Sequence, residues 1–124
     1  MKTNPVVWFE LYVQDMARAR AFYETVLGTR LEPLEGPDIE MLAFPGSMDP
    51  NPGCSGALVR MDGVPSGAGG TLVYFTCDDC AVETGRVVAA GGRVHRDKMS
   101  IGQYGFCSLA FDTEGNLFGL HSMA

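Results

Sequence analysis

Pro5-Val6-Val7-Trp8-Phe9-Glu10-Leu11-Tyr12-Val13-Gln14, then Asp15, then Met16-Ala17-Arg18-Ala19-Arg20-Ala21-Phe22-Tyr23-Glu24-Thr25-Val26-Leu27 and Gly28, is the stretch whose reading decides the fold. Its first ten residues are rich in β-branched and aromatic types. Their alternation separates Val7, Phe9, Leu11 and Val13 from Trp8, Glu10 and Tyr12, which predicts a strand. Asp15 stands where an N-cap carboxylate would accept from the first helical amides. Ala19, Phe22, Tyr23 and Val26 then recur at helical spacing, and Gly28 supplies the stop.

The same order returns further along as Leu72-Val73-Tyr74-Phe75-Thr76-Cys77, Asp78-Asp79, a helical stretch predicted over Cys80 to Ala90, and Gly91-Gly92. Asp15 recurs as Asp79 and Gly28 as Gly92, both at an interval of 64 residues. Three further strands are predicted after each unit, at 29–34, 38–45 and 54–62 and again at 93–98, 104–112 and 117–123. The chain thus reads as one α+β domain, 1–124, built from two tandem βαβββ modules. These span about 1–62 and 71–124, joined by a linker at 63–70.

One helix per module must cover one sheet face, because its apolar stripe has no other partner. That assigns Val7, Phe9, Leu11 and Val13, and Val73, Phe75 and Cys77, to the helix side. Trp8, Glu10 and Tyr12, with Leu72, Tyr74 and Thr76, are left on the opposite face. A row of a Trp, two Tyr and a carboxylate is too apolar for free solvation and too polar for plain core, so a cavity lining or an interface is expected there.

Composition narrows the function classes. A chain of 124 residues, 46% hydrophobic with 16 glycines, reads as globular and turn-rich, and its size suffices for an unassisted core. The net charge is -6 and no run of Lys or Arg tracks a phosphate backbone, so no nucleic-acid partner is expected. No apolar stretch is long enough to span a bilayer and the amino terminus opens into a strand, which makes a cytoplasmic location the expectation. The cysteines at 54, 77, 80 and 107 lack the dense spacing of small secreted domains and are expected to be reduced.

Phe9-Glu10-Leu11-Tyr12-Val13-Gln14-Asp15 through Ala21-Phe22-Tyr23 to Val26-Leu27-Gly28, with Asp112-Thr113-Glu114-Gly115-Asn116 near the end, resembles the vicinal oxygen chelate superfamily, the glyoxalase, bleomycin-resistance and extradiol dioxygenase group. The resemblance covers nearly the whole chain. It implies a curved mixed sheet around a cavity, helices on the outer face, and a homodimer. In family members with a metal, the ligands come from the first and last strand of each module. The resemblance carries those positions to Trp8, Leu72, Gly119 and, by aligning Gly56-Ala57-Leu58 with Gly119-Leu120-His121, Gly56. None offers a lone pair to a divalent ion, so no metal and no other cofactor is expected.

Glu10 lies two residues along its strand from Trp8, and His121 two from Gly119, so both are expected on the inward face as an acid-base or substrate-anchoring pair. Tyr12 and Tyr74 would donate hydrogen bonds there. The alternative is that Glu10 and His121 only satisfy each other or the backbone. Three functions follow: a metal-free protein binding a small hydrophobic or amphipathic molecule, with Trp8, Tyr12, Leu72, Tyr74, Thr76 and Gly119 at the ligand; a metal-independent lyase, isomerase or hydrolase using Glu10 and His121; or a structural or protein-interaction domain. Cys77-Asp78-Asp79-Cys80 reads as structural rather than redox, His95-Arg96-Asp97-Lys98 as a solvated edge, and the loops at 45–53 and 63–70 as connectors first and lids second.

Overall fold

Asp15 caps its helix as its position predicts: in the computed structural model, which describes residues 5–36, 39–45 and 54–124, its Oδ1 accepts from the Arg18 amide at 3.0 Å. The helix, α1 (Met16–Leu27), ends at Gly28, whose φ of 63° is left-handed and whose amide turns back to the Glu24 carbonyl. Ahead of it runs β1 (Val6–Tyr12), and behind it β2 (Glu32–Leu34), β3 (Glu40–Ala43) and β4 (Ser55–Arg60). The repeat gives β5 (Thr71–Thr76), α2 (Cys80–Thr84), β6 (Arg93–Ser100), β7 (Phe106–Phe111) and β8 (Leu117–Ser122), with a 3-10 turn at Gly102–Tyr104. The architecture is α+β, from two βαβββ units.

The chain divides into two units, Trp8–Thr71 and Leu72–Ala124, the latter joined by the first residues through Val7. In the first, the strand order is β2-β3-β4-β1, with β1 and β4 parallel and the other pairs antiparallel. Its core lies between sheet and helix: Met16, Leu31, Leu42 and Leu58 are buried, and Leu11, Val13, Ala19, Tyr23 and Phe44 pack around them. Phe44 stacks at 5.4 Å from Phe9 and 5.7 Å from Tyr23, so the odd-numbered residues of β1 face the helix as the alternation requires.

In the second unit the order is β5-β8-β7-β6, with β5 and β8 parallel and the rest antiparallel. Its helix contact is partly polar. Thr84 Oγ1 donates to the Cys80 carbonyl and shares a hydrogen bond with Ser108 Oγ, both at 2.6 Å, and Ser122 Oγ accepts from the Cys80 amide at 3.0 Å. These hydroxyls settle buried backbone groups that an apolar core would leave open. β6 is the outer strand of this set, with two register irregularities against β7, and it carries the charges of His95-Arg96-Asp97-Lys98 as a solvated edge would.

The predicted helix over Cys80 to Ala90 is corrected: α2 is five residues long, and turns follow it through Gly91. Gly85 ends the regular hydrogen bonding, its amide reaching Ala81, and the β-branched Val87 and Val88 give the next turn little propensity to continue. The linker at 63–70 is a connector, pinned by Gln14 Nε2 to the Val64 carbonyl at 3.0 Å and by the Tyr12 amide to the Gly70 carbonyl at 2.8 Å. Residues 46–53 of the other predicted loop lie outside the described residues. Among the described residues, no helix is long and apolar enough to cross a membrane.

The hairpin between β7 and β8 is built on Asp112. Its Oδ1 accepts from the amides of Glu114 and Asn116 at 2.8 and 2.9 Å, and its Oδ2 from Asn116 Nδ2 at 3.1 Å. Those bonds, led by the Asn116 amide, hold its carboxyl below the usual carboxylate range. Glu24 is lowered chiefly by the Leu31 amide and Asp79 chiefly by Lys98. A carboxylate whose folded pKa lies below its unfolded value contributes stability above the unfolded pKa of about 4, lost as pH falls through the folded value. Melting temperature is therefore expected to drop with pH below about 4, with a shallower acid limb for Asp112→Asn. Equal acid limbs in the two proteins would refute the assignment.

Candidate functional site

Register sorts the predicted site residues onto faces. In β1 and β4, Trp8 pairs with Ser55, Glu10 with Ala57 and Tyr12 with Val59, so these share the face turned away from α1. Glu10 is the hub of the row. Its Oε1 accepts from the Tyr12 hydroxyl at 2.7 Å and its Oε2 from Trp8 Nε1 at 3.1 Å. The spacing of two along one strand brings the three side chains side by side, and each is half-buried. Burial, then the Glu10 charge and hydrogen bond, hold the Tyr12 hydroxyl well above the usual phenol range. Tyr12 is therefore a fixed hydrogen-bond donor at neutral pH, and Glu10 an oriented acceptor.

The matching row in the second unit is Leu72, Tyr74 and Thr76. Leu72 is buried, while Tyr74 and Thr76 are half-buried. Tyr74 pairs with Gly119 and Thr76 with His121, so these four share one face. A Cβ at Gly119 would lie inside the Tyr74 ring, so glycine there is what lets the ring lie flat on β8. His121 Nε2 is 2.6 Å from the Tyr104 carbonyl, an acceptor the sequence reading did not include. Its signal was the Gln103-Tyr104-Gly105 turn: Gly105, at φ 99°, ends the 3-10 turn and leads into β7. The hydrogen bonds thus bind Trp8, Glu10 and Tyr12 into one cluster and His121 to the Gly102–Tyr104 turn.

The ligand position carried to Gly56 is corrected to Ala57. Glu10 of the first unit is equivalent to Tyr74 of the second at the 64-residue interval, and their parallel partners are Ala57 and Gly119. Gly56 pairs with Phe9 instead, and the Phe9 ring covers it on the helix side. A one-residue slip changes the face, which is why a sequence alignment of short strands misplaced it. The side chains at the four positions to which the resemblance carries a metal site are then indole, isobutyl, methyl and hydrogen. They do not fit a metal. Among the described residues, no three His, Cys, Asp or Glu side chains are grouped to hold an ion.

Two other features fall away from this site. The Cys77 thiol is pushed up to about 11, by burial first and then by the charge and hydrogen bond of Glu83, and Cys80 is fully buried. A thiol so placed stays protonated at neutral pH, which suits the structural reading of the pair. A groove of 440 Å³ lies between α2 and β6, lined by Thr84, Val88, Val94, Asp97 and Lys98 among others. None of these is a predicted site residue.

With that geometry in place, comparison with known proteins gives three concordant findings. A family model described as Bleomycin resistance protein-like N-terminal matches residues 6–42, the span from β1 into β3. The mycobacterial proteins named "Putative glyoxylase CFP32", from Mycobacterium bovis and Mycobacterium tuberculosis, are 28% identical over 96% of this chain. The match takes in 44% of their length, so the chain spans less than half of these curated relatives. Among solved structures, methylmalonyl-CoA epimerase from Mycobacterium tuberculosis superposes with a TM-score of 0.69 at 17% identity, covering 100% of this chain and 93% of the other. A hypothetical protein from Bacillus halodurans gives 0.73 at 12% identity, covering 98% and 95%. The epimerase from Streptomyces coelicolor, in complex with 2-nitronate-propionyl-CoA, gives 0.65 at 16%, covering 99% and 96%. In its paired βαβββ units, its matched amino-terminal motif and these relatives, the chain is similar to members of the vicinal oxygen chelate superfamily.

Proposed function

We propose that this glyoxalase- and bleomycin-resistance-like chain is a metal-free protein that binds a small hydrophobic or amphipathic molecule on the sheet face opposite its helices. The observation that carries the reading is the Trp8–Glu10–Tyr12 cluster: two half-buried aromatic rings with one oriented carboxylate between them. Apolar walls with a few fixed polar groups are what small-molecule sites are made of. Leu72, Tyr74, Thr76 and Gly119 form the corresponding face of the second unit, and His121 supplies its polar contact. The donor chemistry at Trp8, Ala57, Leu72 and Gly119 supports a site that works without a metal.

Glu10 and His121 are assigned to binding rather than to proton transfer, because each is already engaged by a protein partner. The CoA esters in complexes of the Streptomyces epimerase are strongly acidic ligands, whereas the Trp8 face offers a carboxylate, so the epimerase activity is not carried over. A homodimer in the cytoplasm completes the proposal. Its support is the exposed apolar strip of α1, where Phe22, Val26 and Leu27 are 58%, 61% and 58% accessible, and sedimentation velocity reads it directly.

Trp8 is the one tryptophan of the chain and reports its own site. Titration with N-phenyl-1-naphthylamine, a neutral amphipathic probe, is expected to quench its emission saturably and to raise the melting temperature. Saturable quenching that is weakened in Tyr12→Ala supports the reading. A linear, non-saturating response with an unchanged melting temperature would overturn it.

A further inference from the structure

Trp8–Thr71 contains nine carboxylates against four arginines, with no lysine and no histidine. The arginines are all accounted for away from the Trp8 face. Arg18 and Arg20 lie on α1, where Arg20 Nε meets Glu24 Oε2 at 3.1 Å. Arg30 acts on that same Glu24. Arg60 falls on the helix-side register of β4 and its Nε donates to the Gln14 carbonyl at 3.1 Å.

The face turned from the helix therefore carries no cation of its own. Register places on it Glu32 and the apolar Leu34, Met41, Ala43, Ala57 and Val59, beside Trp8, Glu10 and Tyr12. The Glu10 carboxylate receives two neutral donors, one per oxygen, and keeps its further lone pairs. Neutral donors orient a carboxylate without cancelling its charge, and the indole and phenol rings beside it present negative π faces.

We infer that this face recognises a ligand bearing an organic ammonium group, with Glu10 as its counter-ion and Trp8 and Tyr12 as the aromatic walls. The inference rests on the proposed small-molecule site and names the chemical class of its ligand. An anionic ligand would meet an uncompensated carboxylate, and a neutral one would leave that charge half-desolvated without a partner.

The test uses the full chain and three probes with one apolar tail: hexyltrimethylammonium, hexanol and hexanoate, each followed by Trp8 fluorescence and by melting temperature. The ammonium is expected to bind at least about tenfold more tightly than either of the others, and Glu10→Gln to abolish that preference. Equal affinity for all three probes would overturn the inference and leave the amphipathic site standing. Saturable binding of none of them would overturn the site itself. A preference that survives Glu10→Gln would remove Glu10 as the counter-ion and overturn the inference. Should that variant fail to fold, the order of the three affinities in the unaltered chain decides the matter.

Discussion

Gly105→Ala is expected to destabilise the protein by about 3 kcal/mol or more, the largest effect of any single methyl added to this chain. Gly105 has φ 99° and ψ −131°, a region essentially closed to a residue with a Cβ. The methyl would also be driven into the Ser122 carbonyl and against Met123. Neither neighbour can yield cheaply. Ser122 pairs with Phe106 in the sheet, and its hydroxyl accepts from the Cys80 amide, so moving it loosens the start of α2 as well. The turn that Gly105 closes also holds the Tyr104 carbonyl against His121, and the variant is expected to release that ring. Denaturant melts measure the loss, and histidine chemical shifts follow the ring. A change under about 0.5 kcal/mol, the range of a surface substitution, would show the turn to be unconstrained.

Gly56→Ala is the second large effect, expected at about 2 to 3 kcal/mol, and Gly119→Ala makes an informative control. In both, the new methyl would overlap an aromatic ring of the neighbouring parallel strand, Phe9 over Gly56 and Tyr74 over Gly119. The rings differ in the face they occupy. Phe9 is held in the stack that runs through Phe44 to Tyr23 on the helix side, and the Gly56 carbonyl is tied to the Phe44 amide at 2.9 Å. Tyr74 lies on the opposite face of its sheet, away from the packed helix side. Thermal melts should therefore rank Gly56→Ala well below Gly119→Ala in stability. The reverse order would mean that the Gly119 face, not the helix face, is the more tightly packed of the two.

Much of this architecture was legible before any coordinates, for a local reason. N-caps and C-terminal glycines act through the backbone within a few residues, so Asp15, Asp79 and Gly28 announce helix ends wherever they occur. Period-two alternation likewise announced the faces of β1, because a strand pointing one residue the wrong way would bury Glu10 against α1. The length of α2 was not legible. Its continuation past Thr84 depends on whether Gly85 and the valines after it are held by packing, and that is a tertiary matter.

The candidate site was readable one strand at a time and misread between strands. Trp8, Glu10 and Tyr12 share a face by their spacing alone, and the structure adds that Glu10 is bonded on both sides by its own neighbours. The partner positions on β4 depend on register, which short apolar strands such as Ser55–Arg60 do not encode locally, hence Gly56 for Ala57. The Tyr104 carbonyl beside His121 was invisible for the same reason: it is a backbone atom delivered by a turn 17 residues away.

The most direct test of a site that works without a metal is the metal content of the purified protein, with melting temperature recorded before and after added nickel, zinc, iron or manganese. The account predicts substoichiometric metal and an unchanged melting temperature, since indole, isobutyl, methyl and hydrogen give an ion nothing to bind. A stoichiometric metal whose removal lowers the melting temperature would contradict it, and would require donors other than those at Trp8, Ala57, Leu72 and Gly119.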